Sequence, residues 1–174
     1  SEVNGTWKKA IQVPGTAALN ISGYAQVLSV SCATGRNCTA GGFYDDNNQV
    51  QTFVASEVNG TWKDAIQVPG TTFLNIDGSA AVTSVSCTKA GNCLVGGDVT
   101  DTSGRQAFVA SEVDGTWQDA IEVPGTAALN TGGYATTNSV SCAAAGPCAA
   151  GGFYAVGVPE PRQTFVATEV NGTW

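Results

Sequence analysis

The hexapeptide Glu-Val-Asn/Asp-Gly-Thr-Trp ends at Trp7, Trp62, Trp117 and Trp174, at spacings of 55, 55 and 57 residues. Behind each of the first three comes Ala-Ile-Gln/Glu-Val-Pro-Gly-Thr, then Leu-Asn, Ser-Val-Ser-Cys, a second Cys, Gly-Gly and Phe-Val-Ala. A period of this length means that one supersecondary unit is copied, each copy burying its apolar face against the next. The copies span 1–55, 56–110 and 111–167, with a partial fourth at 168–174, in a single repeat array over 1–174. The two extra residues of the third copy fall in 155–161, which reads as an exposed loop.

One copy reads as four strands: Ala25 to Cys32, Cys38 to Tyr44, Val50 to Val58 and Trp62 to Val68. Runs such as Gln51-Thr52-Phe53-Val54-Ala55 are β-branched and aromatic, as pleated half-buried surfaces prefer. Turn chemistry separates them at Gly35-Arg36-Asn37, Asp45 to Asn48, Asn59-Gly60 and Pro69-Gly70. Asn59-Gly60 is the sharpest signal, because a type I′ turn needs positive φ at both central residues. Asp114-Gly115 and Asn171-Gly172 repeat it. No 3.6-residue period is sustained, so no helix is expected. The unit is a four-stranded antiparallel meander.

Cysteines stand at 32 and 38, 87 and 93, and 142 and 148, one Cys-x5-Cys pair per copy. Disulfides Cys32–Cys38, Cys87–Cys93 and Cys142–Cys148 would clip the first hairpin of each copy, and they fit an oxidising, extracellular compartment. Zinc is the rival. With no histidine, it would need four thiolates from different copies, and the spacing is wide for a zinc knuckle. No metal or other cofactor is expected. Asp45-Asp46-Asn47-Asn48 clusters oxygen ligands but lacks EF-hand spacing and reads as a polar turn. Asn-x-Ser/Thr occurs at Asn4, Asn20, Asn37, Asn59 and Asn171; tight turns explain three of these.

The net charge of −7 repels phosphate backbones, which argues against nucleic acid as a partner. No apolar run approaches the roughly 18 residues of a membrane span. No leader is visible, since the chain opens inside a repeat unit, as expected if one has been removed. The absence of histidine rules out Ser-His and Cys-His pairs, so the chain reads as no enzyme.

A four-stranded meander at this period is the signature of a β-propeller blade. On its Ser-Val-Ser-Cys…Cys…Gly-Gly core, followed by Phe-Val-x-x-Glu-x-Asn/Asp-Gly-Thr-Trp, the chain resembles secreted bacterial β-propeller repeat proteins, some of them lectin-like. The resemblance covers nearly the whole chain and implies fold more than activity. Three blades cannot close a ring, since propellers typically use about four to eight. The leading strand and the missing last strand suggest that a second chain completes a six-bladed homodimer. The alternative is a monomeric three-fold β-trefoil or β-prism.

Two sets of aromatic residues are candidate ligand contacts. Trp7, Trp62 and Trp117 offer flat faces to sugar rings, or else pack between blades. Tyr24 and Tyr134, and likewise Tyr44 and Tyr154, occupy matched positions beside Gly and Asn, where loops converge on ligands or simply meet water. Carboxylates of the repeated marker (Glu2, Glu57, Glu112, Glu169) read as scaffold. The expected function is a secreted module binding a glycan or cell-surface ligand at sites repeated per blade. The alternatives are a protein-interaction scaffold and, third, a glycoside hydrolase or other hydrolase resting on paired non-repeated carboxylates such as Asp46 and Asp101.

Overall fold

The fold is described from a computed structural model covering residues 2–3, 5–144, 147–157 and 161–174. Asn4, Glu160 and the 158–160 stretch of the third-copy insertion lie outside these residues.

The chain begins with a short hairpin, β1 (Glu2–Val3) and β2 (Thr6–Trp7), and a helical turn, α1 (Thr16–Leu19). The first large sheet holds β3 (Ala25–Thr34), β4 (Asn37–Asp46), β5 (Gln49–Val58), β6 (Thr61–Trp62) and β7 (Ile66–Gln67). After α2 (Thr71–Leu74) the second sheet repeats it with β8 (Ala81–Lys89), β9 (Asn92–Asp101), β10 (Gly104–Val113), β11 (Thr116–Trp117) and β12 (Ile121–Glu122). After α3 (Thr126–Leu129) the third sheet holds β13 (Ala135–Cys142), β14 (Cys148–Ala155) and β15 (Arg162–Thr168). All strand pairs within the sheets are antiparallel, and they follow chain order except that β7 returns to β5 and β12 to β10; no sheet closes into a barrel among the described residues, which leaves a trefoil without its barrel.

The turns are as the residues dictate. Asn59 and Gly60 stand at φ 51° and 83°, and Asp114 and Gly115 at 48° and 83°. Asn47 and Asn48, at 50° and 69°, make a further turn of this kind. All three expected disulfides are formed, joining residues directly opposite each other on the first two strands of each sheet.

Two features differ from the sequence expectation. The fourth strand is broken. Between β6 and β7 the chain leaves its own sheet, and the Ala65 amide donates to Pro14 O of the preceding copy at 2.7 Å. Ala120 repeats this with Pro69 O at 2.8 Å. Short helical turns then follow Pro-Gly where none was expected. Gly70 takes φ 79° before α2, and the Thr71 hydroxyl donates to Val68 O at 2.7 Å, tying the turn to the strand end. Four residues are too few to leave a helical period in the sequence.

The sheets pack face to face in sequence. Val54 of the first sheet meets Val82, Val85, Val95 and Phe108 of the second in one apolar layer. Leu94 and Val109 meet Val140 and Phe165 in the next. Glycine permits the close approach: a Cβ added at Gly41 would lie 2.5 Å from Val82 Cγ1, and one at Gly96 2.6 Å from Thr137 Cγ2. The Ser-Val-Ser-Cys motif adds a clasp. Ser29 and Ser31 hydroxyls accept from the Val85 and Cys87 amides at 3.1 Å each. Ser84 and Ser86 accept from Val140 and Cys142 at 3.1 and 3.0 Å. The first strand of each sheet is thus the edge along which neighbouring sheets converge.

Asn75 hooks the connector down. Buried to 4% exposure, its amide donates to Val50 O and Gln51 Oε1, and its oxygen accepts from Ser79 and Thr100 amides. That fills its capacity on both ends. Asn130 repeats the hook on Arg105 O and Gln106 Oε1. At the same place in the first copy, the buried Oδ1 of Asn20 has no partner among the described residues.

This packing makes a prediction. Gly96→Ala forces a methyl into Thr137 and Val140, and overpacking of this kind costs about 1–3 kcal/mol. At Gly151, the same position in the third sheet, nothing lies closer than 3.7 Å, so Gly151→Ala is expected to leave the isolated chain's stability unchanged. Chemical denaturation of the two variants checks the contrast.

Candidate functional site

Between the first and second sheets lies a cavity of about 350 Å³, bordered by Glu57, Ile66, Lys89, Cys93, Glu112 and Trp117. The gap between the second and third sheets repeats it at about 470 Å³, with Glu112, Ile121, Cys148, Glu169 and Trp174 at matching positions. A wider third version, about 640 Å³, lies on the outer face of the first sheet, between Glu57, Trp62 and the leading segment Lys8 to Val13. The site is therefore built at each junction from the same residues.

Its geometry follows from the strand register. Glu57 pairs with Trp62 across β5 and β6, and Glu112 with Trp117 across β10 and β11. The Asn-Gly or Asp-Gly turn between them fixes that register, so carboxylate and indole are held side by side. Trp62 and Trp117 are half-buried; each rests against an apolar layer and borders the cavity as well.

The carboxylates are the unusual part. Glu57 and Glu112 are 3% and 5% exposed, and the Oε2 of each has no hydrogen-bond partner among the described residues. The Ser56 hydroxyl donates to Glu112 Oε1 at 3.3 Å across the sheet junction. Burial pushes the Glu112 carboxyl above its ordinary range, and the Ser56 hydrogen bond only partly opposes this. A buried acceptor without a donor is costly, and a ligand hydroxyl would satisfy it.

The aromatic candidates separate on inspection. Trp62 and Trp117 border the repeated cavity, whereas Trp7 is 79% exposed on β2 and borders none of the cavities described. Tyr44 lies inside β4 and not at the mouth of a loop: it pairs with Ala25 and Gln51, is 3% exposed and packs with Phe53 and Ala55. Tyr154, its counterpart on β14, packs partly buried against the layer around Phe165. Tyr24 is 60% exposed and stacks tilted on Phe43 at 5.4 Å; Tyr134 meets Phe153 edge-on at 5.2 Å. The tyrosines and tryptophans do not share one site.

In sequence Glu57 and Glu112 read as scaffold because they recur. Their register opposite Trp, on a strand whose alternate residues are apolar, was the signal that they face inward. Among the described residues no group of three or more His, Cys, Asp or Glu side chains could hold a metal ion. Asp45 instead accepts the Asn48 amide at 3.0 Å, capping its own turn. Among the described residues no helix is long and apolar enough to cross a membrane.

No protein-family model matches the chain, and no curated protein matches it. The residues themselves carry the reading of the site.

The raised Glu112 carboxyl gives a pH prediction. The folded state holds this proton more tightly than the unfolded chain, whose value is near 4.5. The cost of the buried charge is present above the raised folded value and fades as pH falls through it, so stability rises on mild acidification. Asp98 and Glu122 push the same way, while the exposed Asp114, held down by Asn92 and Lys89, opposes them. Thermal melts should therefore show a midpoint that climbs as pH drops from 7 towards 4.5, with a smaller climb in Glu112→Gln.

Proposed function

We propose that this chain is a secreted, non-enzymatic carbohydrate-binding module of the β-propeller type, three blades per chain, with sugars bound in the cavities between blades. One observation carries the reading: a tryptophan face stands beside a buried carboxylate oxygen that lacks a donor among the described residues, and the pair occurs twice, as Glu57 with Trp62 and as Glu112 with Trp117. A pyranose presents an apolar face for the indole and hydroxyl donors for the carboxylate. Weak sites multiplied on one scaffold gain avidity on a surface dense in glycans. The three disulfides support an extracellular setting.

Ring closure by a second copy completes this proposal. The outer face of the first sheet exposes Val27 and Val30, at 37% and 55%, where their counterparts Val82 and Val85 are buried by a neighbour. The outer face of the third sheet offers the open Gly151 and the exposed hydroxyl residues Ser139 and Ser141, counterparts of the Gly41 socket and the Ser29/Ser31 clasp. Knob and socket already fit twice within the chain, so one copy's first sheet suits another's third.

A glycan array read with the assembled protein tests the sugar site. Binding of neutral glycans is expected. Trp117→Ala and Glu112→Gln should each weaken it about tenfold or more, the loss of one charge-assisted hydrogen bond being worth about 1.5–3 kcal/mol. No glycan bound by a properly assembled protein would overturn the reading. Light scattering tests closure: the chain should run at twice 17.6 kDa, and Gly151→Ala should return it to the single-chain mass without loss of fold. A wild-type monomer would remove the second copy from the proposal.

A further inference from the structure

The middle copy departs from its neighbours at one telling place. Where copies one and three have Phe43 and Phe153, it has Asp98. Where copy one has Val50, copies two and three have Arg105 and Arg162. These departures converge. Arg105 Nη1 lies 3.4 Å from Asp98 Oδ2, and Arg105 Nη2 donates to Ser79 Oγ at 3.2 Å. The Thr136 hydroxyl donates to Asp98 Oδ1 at 3.1 Å. The Tyr134 ring lies beneath both guanidiniums, at 5.2 Å from Arg105 and 5.0 Å from Arg162. Arg162 also covers Phe153 at 4.3 Å.

These side chains border an open cleft beside the converging first strands of the second and third sheets. A β-bulge in each of those strands, between Val82 and Ser84 and between Thr137 and Ser139, coincides with Thr83 and Asn138, which border the same cleft. Asp98 is 6% exposed and already satisfied by Arg105 and Thr136, whereas Arg162 is exposed and makes no ion pair among the described residues. Two guanidiniums and one carboxylate leave one positive charge, on a chain whose net charge is −7.

We infer that this cleft, which occurs once among the described residues, binds a carboxylate-bearing ligand, with Arg162 as the anion anchor. The guanidinium fork matches a carboxylate in two parallel hydrogen bonds. Stacking on Tyr134 and Phe153 holds the fork in place, so less side-chain freedom is lost on binding. The Asn138 amide borders the cleft and can reach the rest of a polar ligand, while the Thr83 hydroxyl, which donates to Thr137 O, is left only as an acceptor. One residual positive charge, beside a buried acid, suits a monoanion better than a phosphate dianion. The cleft shares no bordering residue with the cavities between sheets, so it stands or falls apart from the sugar reading.

The test is titration of the ¹⁵N-labelled protein with glucuronate, glucose and inorganic phosphate. Glucuronate should shift the Tyr134 and Asn138 amides saturably, with glucose and phosphate at least tenfold weaker there. Arg162→Gln, at an exposed position, should weaken glucuronate about tenfold, and Arg162→Lys should recover only part of that. Asp98→Asn keeps an acceptor for Thr136, removes the neighbouring negative charge, and should tighten glucuronate severalfold. Trp117→Ala should change none of these shifts. Equal response to glucose, equal or tighter phosphate binding, or glucuronate binding untouched by Arg162→Gln would each overturn the proposal.

Discussion

Close approach of one sheet to the next governs this molecule. Gly41 and Gly96 have no side chain because Val82 in one case, and Thr137 with Val140 in the other, occupy that space. With the faces so near, the serines of Ser-Val-Ser-Cys reach the next sheet's edge amides, which would otherwise lack partners within the chain. The disulfide at the end of each first hairpin then holds the clasp strand in register. Its closed loop is short, so it constrains local geometry more than it lowers the entropy of the unfolded chain.

The same packing explains where polar chemistry gathers. Face-to-face sheets twist and diverge away from the converging first strands, and the gap left near the Trp-bearing hairpins is walled by Glu57, Glu112 and the indoles. Burial between two neighbouring sheets raises the proton affinity of Glu112, and the Oε2 of both carboxylates is left without a donor among the described residues. At the convergent edge the sheets leave a shallow cleft instead, and there the middle copy exchanges an aromatic residue for Asp98. Repetition thus builds one kind of site many times, while departure from repetition builds another kind once.

How much of this was legible beforehand depends on how far apart the partners lie. Asn59-Gly60, Cys32 with Cys38, and the run from Gln51 to Val58 interact with neighbours a few residues away, and reading the chain locally placed them correctly. The broken fourth strand was not legible, because the Ala65 amide turns to Pro14, a residue of the preceding copy. Tyr44 stood at the expected end of its strand, next to the turn residues Asp45 and Asn47, but β4 runs on to Asp46 and carries the ring into the core.

By itself the sequence determined a repeated, all-β antiparallel chain with clipped hairpins and tight turns, because those features rest on local backbone preferences and short-range pairing. Tertiary structure alone decided that Ser56 donates to Glu112, and that Asp98, Arg105, Tyr134 and Arg162 share a cleft. Those partners belong to different sheets, and nothing in the spacing of residues along one copy states which face meets the next copy or how closely. That is set by side-chain volume at the junction, where glycine opposite valine lets two sheets approach near enough for their polar edges to meet.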